Sequence, residues 1–301
     1  MKNIAILVSK NMLPGNGETR DDIFELEDQM RKITPAFAAR DMKTHIVLWN
    51  DCAAVADQYD AMLPLFIWDY FETGNLPLFM AQIEEAAKKT MVFNPVNLLR
   101  WNTNKRYLEE LDAKGAPVIP ARIVDLATPE IIEKACADFG CDKLVIKPLV
   151  GGGAWRQALY AVGGAMPSAD ELPPAEAILQ PFVPSVLTEG EYSFLYFGGQ
   201  FSHAVNKRPK DGDYRIQSIY GGRELPYAPS DEELAVAEDI LGYMDDMPLY
   251  ARVDLLRGED GQLKLIELEM VEPYLYMNFA EGEDGENKAA QMLAEKLSAR
   301  I

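Results

Sequence analysis

The chain has 301 residues, of which 48% are hydrophobic and 26% charged, which suits a globular protein of two or three subdomains. Its formal net charge of -19 repels nucleic-acid backbones and anionic lipid, so we predict no nucleic acid and no membrane as a partner. No apolar run reaches the roughly 20 residues of a spanning helix, and the first residues resemble a strand more than a signal peptide, which predicts a cytoplasmic protein.

Strand and helix patterns alternate over the first third of the chain, which predicts a parallel α/β layer. Asn94-Pro95 interrupts this alternation, so a first domain is predicted at 1–95. The predicted strands are Ile4 to Val8, Thr44 to Trp49, Ala61 to Trp68 and Met91 to Phe93, and the predicted helices run from about Asp22 to Arg40 and from about Leu78 to Lys89.

Two further domains are predicted, at 96–183 and at 184–301. The first of them has mixed patterns: a helix from about Asn102 to Lys114 that Gly115 ends, a strand at Ala121 to Val124, a helix at Pro129 to Phe139, a strand at Lys143 to Pro148, a glycine loop and a strand at Glu176 to Gln180. The second is rich in antiparallel patterns: strands at Tyr192 to Phe197 and Gln200 to Asn206, an acidic hairpin, and a terminal helix that Asn287 caps.

Cysteine and histidine indicate no site of their own. Cys52, Cys136 and Cys141 are odd in number and lack CxxC spacing, so neither a disulfide framework nor a zinc site is predicted. The two histidines, His45 and His203, lie within predicted strands, which favours a structural role over catalysis or metal binding.

The stretch from Tyr250 to Pro273 predicts a hairpin that carries three carboxylates on one face. Because strand side chains alternate, Glu267 and Glu269 share a face, and the apolar residues between them point into the core. A register that closes at Arg257 and Gln262 would place Asp254 diagonally across from Glu267.

Three such acids repel one another unless a cation lies between them, and their hard oxygen ligands suit magnesium or manganese. The hairpin therefore predicts a metal site at Asp254, Glu267 and Glu269. The alternative is a solvated hairpin face in an acidic protein.

A lysine at the end of a strand and three glycines after it predict a phosphate-binding loop. Lys147 supplies a charge, and Gly151 to Gly153 let backbone N–H groups approach anionic oxygens. Upstream, Lys105 is predicted in the first turn of a helix, where the backbone dipoles also favour an anion. A flexible surface turn and an ordinary exposed lysine would explain the same residues without a ligand.

A hinge and a basic cluster complete the candidate site. A predicted strand leads into a hinge at Gln180 to Val183, whose backbone groups could form hydrogen bonds with the edge of an adenine. A carboxylate soon after the hinge could accept hydrogen bonds from both ribose hydroxyls. Between this hinge and the hairpin lies a basic cluster that includes Lys207 and Arg215 and that predicts an anion clamp, with a solvated loop as the alternative.

In this order the pieces resemble the ATP-grasp superfamily, in its glutathione-synthetase-like branch, from about residue 94 to 273. The resemblance implies an α/β N-terminal domain and an α+β ATP-grasp module whose two subdomains grip ATP. It implies that Lys207 and Arg215 contact the transferring phosphoryl group or the substrate carboxylate. It also implies ATP-binding and metal-binding residues, which are Lys105, Lys147, Gly151, Gly152, Gly153, Gln180, Pro181, Phe182, Val183 and Glu191 for ATP, with Asp254, Glu267 and Glu269 for magnesium or manganese.

Five shorter motifs resemble the ATP-grasp group that includes the O-ureido-D-serine cyclo-ligase of cycloserine biosynthesis. They are Trp68-Asp69-Tyr70, Asn94-Pro95 with Arg100-Trp101-Asn102, Glu189 to Ser193, Ser202 to Val205, and Gly212 to Gln217. Two departures stand out. The apolar Leu65-Phe66-Ile67 precedes the first motif where members often carry an arginine, which predicts a different substrate pocket, and Glu269 stands where many relatives have asparagine.

The sequence thus predicts an ADP-forming carbon–nitrogen ligase that activates a small carboxylate, an amino acid or an analogue of one, as an acyl phosphate for attack by an amine. Intramolecular cyclisation and peptide ligation, of the glutathione-synthetase or ribosomal-protein-glutamate-ligase type, both remain open. A nucleotide-binding module without turnover and a kinase are also compatible with these motifs. A homodimer is left open as well.

Overall fold

The computed structural model describes residues 1–15, 20, 22–72, 74–216, 220–282 and 285–301. Gln217, the last residue of one motif above, lies outside them. Three β-sheets and the helices around them form the described structure. None of the helices in these ranges is long and apolar enough to cross a membrane.

The N-terminal sheet is parallel, with the strand order β2-β1-β3-β4, which confirms the predicted α/β layer. Its central strand is buried on both faces, as parallel strands between helices are. The elements of this region are β1 (Lys2–Val8), α1 (Phe24–Ala38), β2 (Met42–Leu48), α2 (Cys52–Val55), β3 (Ala61–Phe66), α3 (Asn75–Ala87) and β4 (Met91–Val92).

The middle region holds an antiparallel sheet in the order β5-β8-β6-β7. The helix predicted from about Asn102 begins only at Tyr107, and a separate helix that was not predicted ends at Asn102. Gly115 ends the predicted helix with φ 96°, as expected. The elements are α4 (Val96–Asn102), α5 (Tyr107–Lys114), β5 (Arg122–Val124), α6 (Pro129–Phe139), β6 (Lys143–Pro148), β7 (Ala158–Ala161) and β8 (Ala177–Pro181).

The C-terminal region is a five-stranded antiparallel sheet in the order β11-β10-β9-β12-β13. Helix α8 was not predicted, although Ser230 and Glu233 form a capping box at its start, which is a readable sequence signal. The elements are α7 (Ser185–Thr188), β9 (Glu191–Phe197), β10 (Gln200–Arg208), β11 (Arg223–Tyr227), α8 (Asp231–Gly242), β12 (Tyr250–Arg257), β13 (Leu263–Glu269) and α9 (Lys288–Ser298).

The three sheets lie within the three predicted ranges, but the last helix joins the first and last regions. Helix α9 packs against α1 and also against β9 and β10, and its Leu293 and Leu297 belong to the same buried cluster as Ile33 of α1 and Ile6 of β1. The domain boundaries at residues 95 and 183 therefore remain a prediction.

The acidic hairpin has a different register from the predicted one. Asp254 lies directly opposite Glu267 and not diagonally, because Arg257 pairs with Leu263 and a bulge follows Asp254. The turn is longer by one residue, since the Gly258 N–H donates to the carbonyl of Gln262 at 2.8 Å. A bulge shifts which residues face each other, and here it brings the two acids closer.

Side chains from the middle region satisfy the outer edge of β13, which is the edge strand of its sheet. The Tyr107 hydroxyl accepts from the Leu268 N–H at 2.9 Å and donates to the Leu268 carbonyl at 3.1 Å. Asn102 donates to the same carbonyl at 2.6 Å and accepts from the Met270 N–H at 2.8 Å. These bonds fix the strand on both sides of Glu267 and Glu269, and they leave no open edge there for another strand.

Asn94 performs a similar function between the first and last regions. Its fully buried amide donates to the carbonyls of Tyr250 and Met270 at 3.0 and 2.7 Å, and it accepts from the Leu249 N–H at 2.6 Å. One side chain thus ties the end of the N-terminal sheet to both strands of the hairpin.

Replacement of Tyr107 by Phe tests the edge bonds, because it keeps the ring and removes only the hydroxyl. We expect the free energy of unfolding to fall by about 1–3 kcal/mol in urea denaturation, since a buried N–H loses its partner. Tyr196→Phe is the matched control: the Tyr196 hydroxyl is buried with no partner among the described residues, so its loss should leave stability unchanged or slightly higher. Equal losses in the two variants would contradict this account of β13.

Candidate active site

A cleft with a volume of about 220 Å³ lies between the three sheets and contains most of the predicted site residues. A smaller cavity of about 80 Å³ adjoins it and shares Lys147, Glu191 and Glu267 with it. The predicted residues that line the cleft are Lys105, Lys147, Gly151, Gly152, Gly153, Glu191, Lys207, Asp254, Glu267 and Glu269, and those that line the smaller cavity also include Gln180, Pro181, Phe182, Val183 and Arg215.

Asp254 is the most buried of the three hairpin acids, with 2% of its surface exposed. Its carboxylate accepts from the Ser193 hydroxyl, contacts the Arg252 guanidinium at 2.9 Å and lies 3.3 Å from the Lys207 ammonium. Burial alone would raise the pKa of Asp254, but the charges of Arg252 and Lys207 lower it to about 2. Asp254 is therefore a carboxylate at neutral pH.

Arg252 is a site residue that the sequence analysis missed. Its guanidinium bridges Asp254 and Glu269 and donates to the Tyr274 carbonyl at 3.3 Å. The signal was present, because Arg252 is two residues before Asp254 on one strand and must share its face. Burial raises the pKa of Glu269 to about 7, although Arg252 acts in the opposite direction.

Lys105 connects the third acid to the glycine loop. Its ammonium lies 3.0 Å from Glu267 and donates to the carbonyl of Gly151 at 2.8 Å. The prediction that Lys105 lies in the first turn of a helix is wrong, since α5 begins two residues later. Burial opposes ionisation of Glu267, but Lys105 and Lys147 lower its pKa below the usual range.

The glycine loop follows Lys147 and packs closely on its neighbours. A Cβ at Gly151 would come within 2.8 Å of the Pro148 ring, and one at Gly152 within 3.1 Å of Phe71. Gly153 has φ +59°, which favours glycine. Larger residues would thus push the loop out of the cleft.

The hinge presents an unsatisfied side chain to the smaller cavity. Gln180 is 1% exposed, and neither its amide nitrogen nor its amide oxygen has a partner among the described residues. Apolar Val145, Leu256 and Ile266 form walls around it. A flat ligand with both donors and acceptors on its edge, such as a nucleobase, fits this lining. The Phe182 N–H is not available for such a ligand, since it donates to the Lys143 carbonyl at 2.9 Å.

Glu191 and Lys207 form a buried pair at the boundary of the two cavities, with 2.5 Å between their charged atoms. Burial opposes the charge of Lys207, but Asp254 and Glu191 outweigh it and raise the lysine's pKa. Burial raises the pKa of Glu191 in turn.

Arg215 lies apart from this network. Its guanidinium pairs with Asp213 at 2.8 Å and stacks 3.8 Å from the centre of the Tyr220 ring, beside the smaller cavity. Arg215 therefore lies beside the smaller cavity and not among the ion pairs of the hairpin acids, and its predicted contact with the phosphoryl group or the substrate carboxylate stays a prediction.

The N-terminal region supplies the remaining wall of the cleft. Leu65, Phe66 and Ile67 are fully buried and do not line the cleft, whereas Trp68 does. An arginine from another segment does lie beside this motif, since the Arg20 guanidinium is 5.1 Å from the Trp68 ring centre.

The chemistry of these donors fits magnesium, since Asp254, Glu267 and Glu269 offer carboxylate oxygens on one face. These side chains do not form a coordination site as they stand, since no three acidic, histidine or cysteine side chains in the described ranges are close enough together to bind one metal ion. The carboxylates form ion pairs instead, Glu267 with Lys105, and Asp254 and Glu269 with Arg252.

Known proteins are similar to this chain in sequence and in fold. The family model described as "D-cycloserine synthetase DcsG, N-terminal domain" matches residues 4–94. The cycloserine biosynthesis protein DcsG of Streptomyces lavendulae is 31% identical over 267 residues, which are 83% of this chain and 87% of that protein.

Solved structures agree. The crystal structure of D-cycloserine synthetase DcsG superposes with a TM-score of 0.81 at 26% identity and covers 99% of both chains. The ATP-grasp ligase PsnB, solved with a minimal precursor, Mg and ADP, superposes with a TM-score of 0.62 at 15% identity over 99% of this chain and 96% of its own, a likeness of fold alone. The chain therefore belongs to the ATP-grasp superfamily, among its ADP-forming carbon–nitrogen ligases.

Proposed function

We propose that this protein uses ATP to convert a small carboxylate into an acyl phosphate and then joins it to an amine. One observation carries the proposal: each of the three hairpin acids already has a cationic partner, so the site holds both the charges that would bind a metal and the charges that would bind phosphate. Lys105 pairs with Glu267, and Arg252 with Asp254 and Glu269.

The nucleotide is proposed to lie with its base in the smaller cavity and its phosphates in the cleft. The side-chain amide of Gln180, which has no partner among the described residues, supports this position of the base. Glu191 lines both cavities and would accept hydrogen bonds from the ribose hydroxyls. Lys147 and the glycine loop would then lie along the phosphates. Arg215 remains a proposed contact near the hinge, and it would have to leave Asp213 to reach the phosphates.

Magnesium, held by Asp254, Glu267 and Glu269, would offset the charge of the phosphates. Lys105 and Arg252 then exchange partners: they leave the acids and pair with phosphate or carboxylate oxygens. Buried cations need an anion at all times, so the exchange keeps each of them paired. Arg252 and Lys207 would stabilise the charge on the transferring phosphoryl group.

The choice of amine separates cyclisation from peptide ligation. The relatives named for cycloserine synthesis favour an intramolecular attack, in which one molecule supplies carboxylate and nitrogen. Peptide ligation needs a second substrate and stays the alternative. A cytoplasmic location and a homodimer remain predictions.

Replacement of Glu267 by Gln tests the metal site. We expect turnover, measured as ADP release, to fall by roughly 100-fold or more, since the amide cannot replace the charge of the carboxylate. The melting temperature should change little. Glu259→Gln, on the exposed turn of the same hairpin, is the control and should keep full activity. Unchanged turnover in folded Glu267→Gln would refute the assignment.

A second pair of variants locates the phosphates. We expect Lys147→Ala to weaken binding of a non-hydrolysable ATP analogue by about 10–100-fold in calorimetry, as loss of a charged contact does. Lys210→Ala, in an exposed polar turn, should weaken it less than about twofold. If both variants lose the same affinity, the phosphates lie elsewhere.

The acyl phosphate can be trapped chemically. With a carboxylate substrate and ATP, hydroxylamine should intercept the activated acid as a hydroxamate, and ADP and orthophosphate should form in equal amounts. AMP and pyrophosphate would exclude the mechanism. A stable phosphorylated product with no amide would favour the kinase instead.

A further inference from the structure

A short segment joins the hinge to the carboxylate that is proposed to bind the ribose. Residues 184–190 connect the hinge to Glu191, and we refer to them as the connector. The connector contains α7, and the N–H groups of Glu189 and Gly190 both donate to the Ser185 carbonyl, at 2.7 and 3.2 Å. The position of Glu191 relative to the hinge therefore depends on the contacts that fix the connector.

Arg257, the last residue of β12, binds the connector at both of its ends. Its carbonyl accepts from the Ser185 hydroxyl at 2.7 Å, and its guanidinium donates to the Glu189 carboxylate at 2.7 Å. The same guanidinium donates to Glu233 of α8 at 2.7 Å, so two acids fix its orientation. The hydrogen bond from Arg257 lowers the pKa of Glu189, so both groups are charged at neutral pH.

Two tyrosines extend these contacts into a network. The Tyr192 hydroxyl donates to Glu189 at 2.9 Å, and the Tyr227 hydroxyl donates to Glu233 at 2.8 Å. The Arg257 guanidinium also lies 5.5 Å from the centre of the Tyr192 ring. A single ion pair near the surface stabilises little, but several charges in one network hold each other in a defined geometry. None of these side chains is among the described residues that line the cleft or the smaller cavity, so the network can act on a ligand only through the connector.

The turn at Gly190 transmits the position of the connector to the binding site. Gly190 has φ +86°, and a Cβ there would come within 2.5 Å of the Lys207 carbonyl, so the turn packs directly on β10. The Asn206 side chain donates to the Glu189 carbonyl at 2.8 Å. A displacement of Glu189 would therefore move Glu191, which follows one residue later and pairs with Lys207.

We propose that Arg257 is a positioning residue, which acts through Glu189 and the connector to place the Glu191 carboxylate at the ribose hydroxyls of a nucleotide whose base lies at the hinge. This inference rests on the proposed function, which assigns the ribose to Glu191. Strand β12 would then serve both ends of the nucleotide, because it also carries Asp254 of the proposed metal site. Arg257 contributes to the preference for ribose over deoxyribose and not to the contacts with base or phosphates.

The test compares ADP with 2′-deoxyADP, which differ in a single ribose hydroxyl. Binding of both is measured by calorimetry in the presence of magnesium, which requires no turnover and no carboxylate substrate. We expect the unaltered protein to bind ADP about 10-fold more tightly than 2′-deoxyADP, because the deoxy compound lacks one hydrogen bond to a charged group.

Arg257→Met and Glu189→Gln should each weaken ADP binding by about 3–10-fold and change 2′-deoxyADP binding by less than about twofold, so that the preference for ADP falls. A merely structural defect would weaken both nucleotides alike, and the second variant guards against a folding defect in the first. Arg122→Met is the matched control: Arg122 also pairs with an acid, Asp138 at 2.7 Å, and lies over the Phe139 ring, but it lines neither cavity. It should leave the preference unchanged.

The outcomes separate this inference from the proposed function. If the unaltered protein prefers ADP and both variants keep that preference, the positioning role is wrong and the proposed function stands. The role is also wrong if Arg122→Met lowers the preference as much as Arg257→Met does. If the unaltered protein binds ADP and 2′-deoxyADP equally well, or binds neither, the proposed nucleotide site fails and this inference fails with it.

Discussion

An edge strand must satisfy its outward N–H and C=O groups, and in this protein the way β13 does so determines the active site. Tyr107 and Asn102 bond to the main chain at Leu268 and Met270, the residues that alternate with Glu267 and Glu269. The acids cannot shift without breaking these buried bonds, which are costly to leave unmade. Because the bonds come from the middle region, they also hold that region against the hairpin that lines the cleft.

The second constraint is the compensation of charge. The chain has a net charge of -19, and several of its acids line the cleft that is proposed to bind an anionic nucleotide. Unpaired carboxylates would repel such a ligand. Lys105, Lys207 and Arg252 resolve this conflict by pairing with the acids in the free protein. In the proposed function, the same cations would pair with phosphate once the carboxylates hold a metal.

Local patterns predicted much of the fold. The bounds of α6 and β6 agree with the predicted ones, since a capped amphipathic helix and a short apolar run with clear ends are both strong local signals. The hairpin register was wrong because a turn one residue longer and a bulge depend on backbone bonds that side-chain alternation does not reveal. Arg252 was missed although it shares a face with Asp254.

The sequence by itself determined the classes of element, the order of the ATP-grasp motifs and the set of charged residues, because these depend on periodicity and on residue type. Only the tertiary structure decided which charges meet. It placed Arg252 between two acids, left Gln180 with no partner among the described residues beside an apolar cavity, and brought Trp68 of the first region to the Glu272 carbonyl of the last. Contacts between residues some 200 positions apart arise from the packing of whole sheets, which local patterns do not encode.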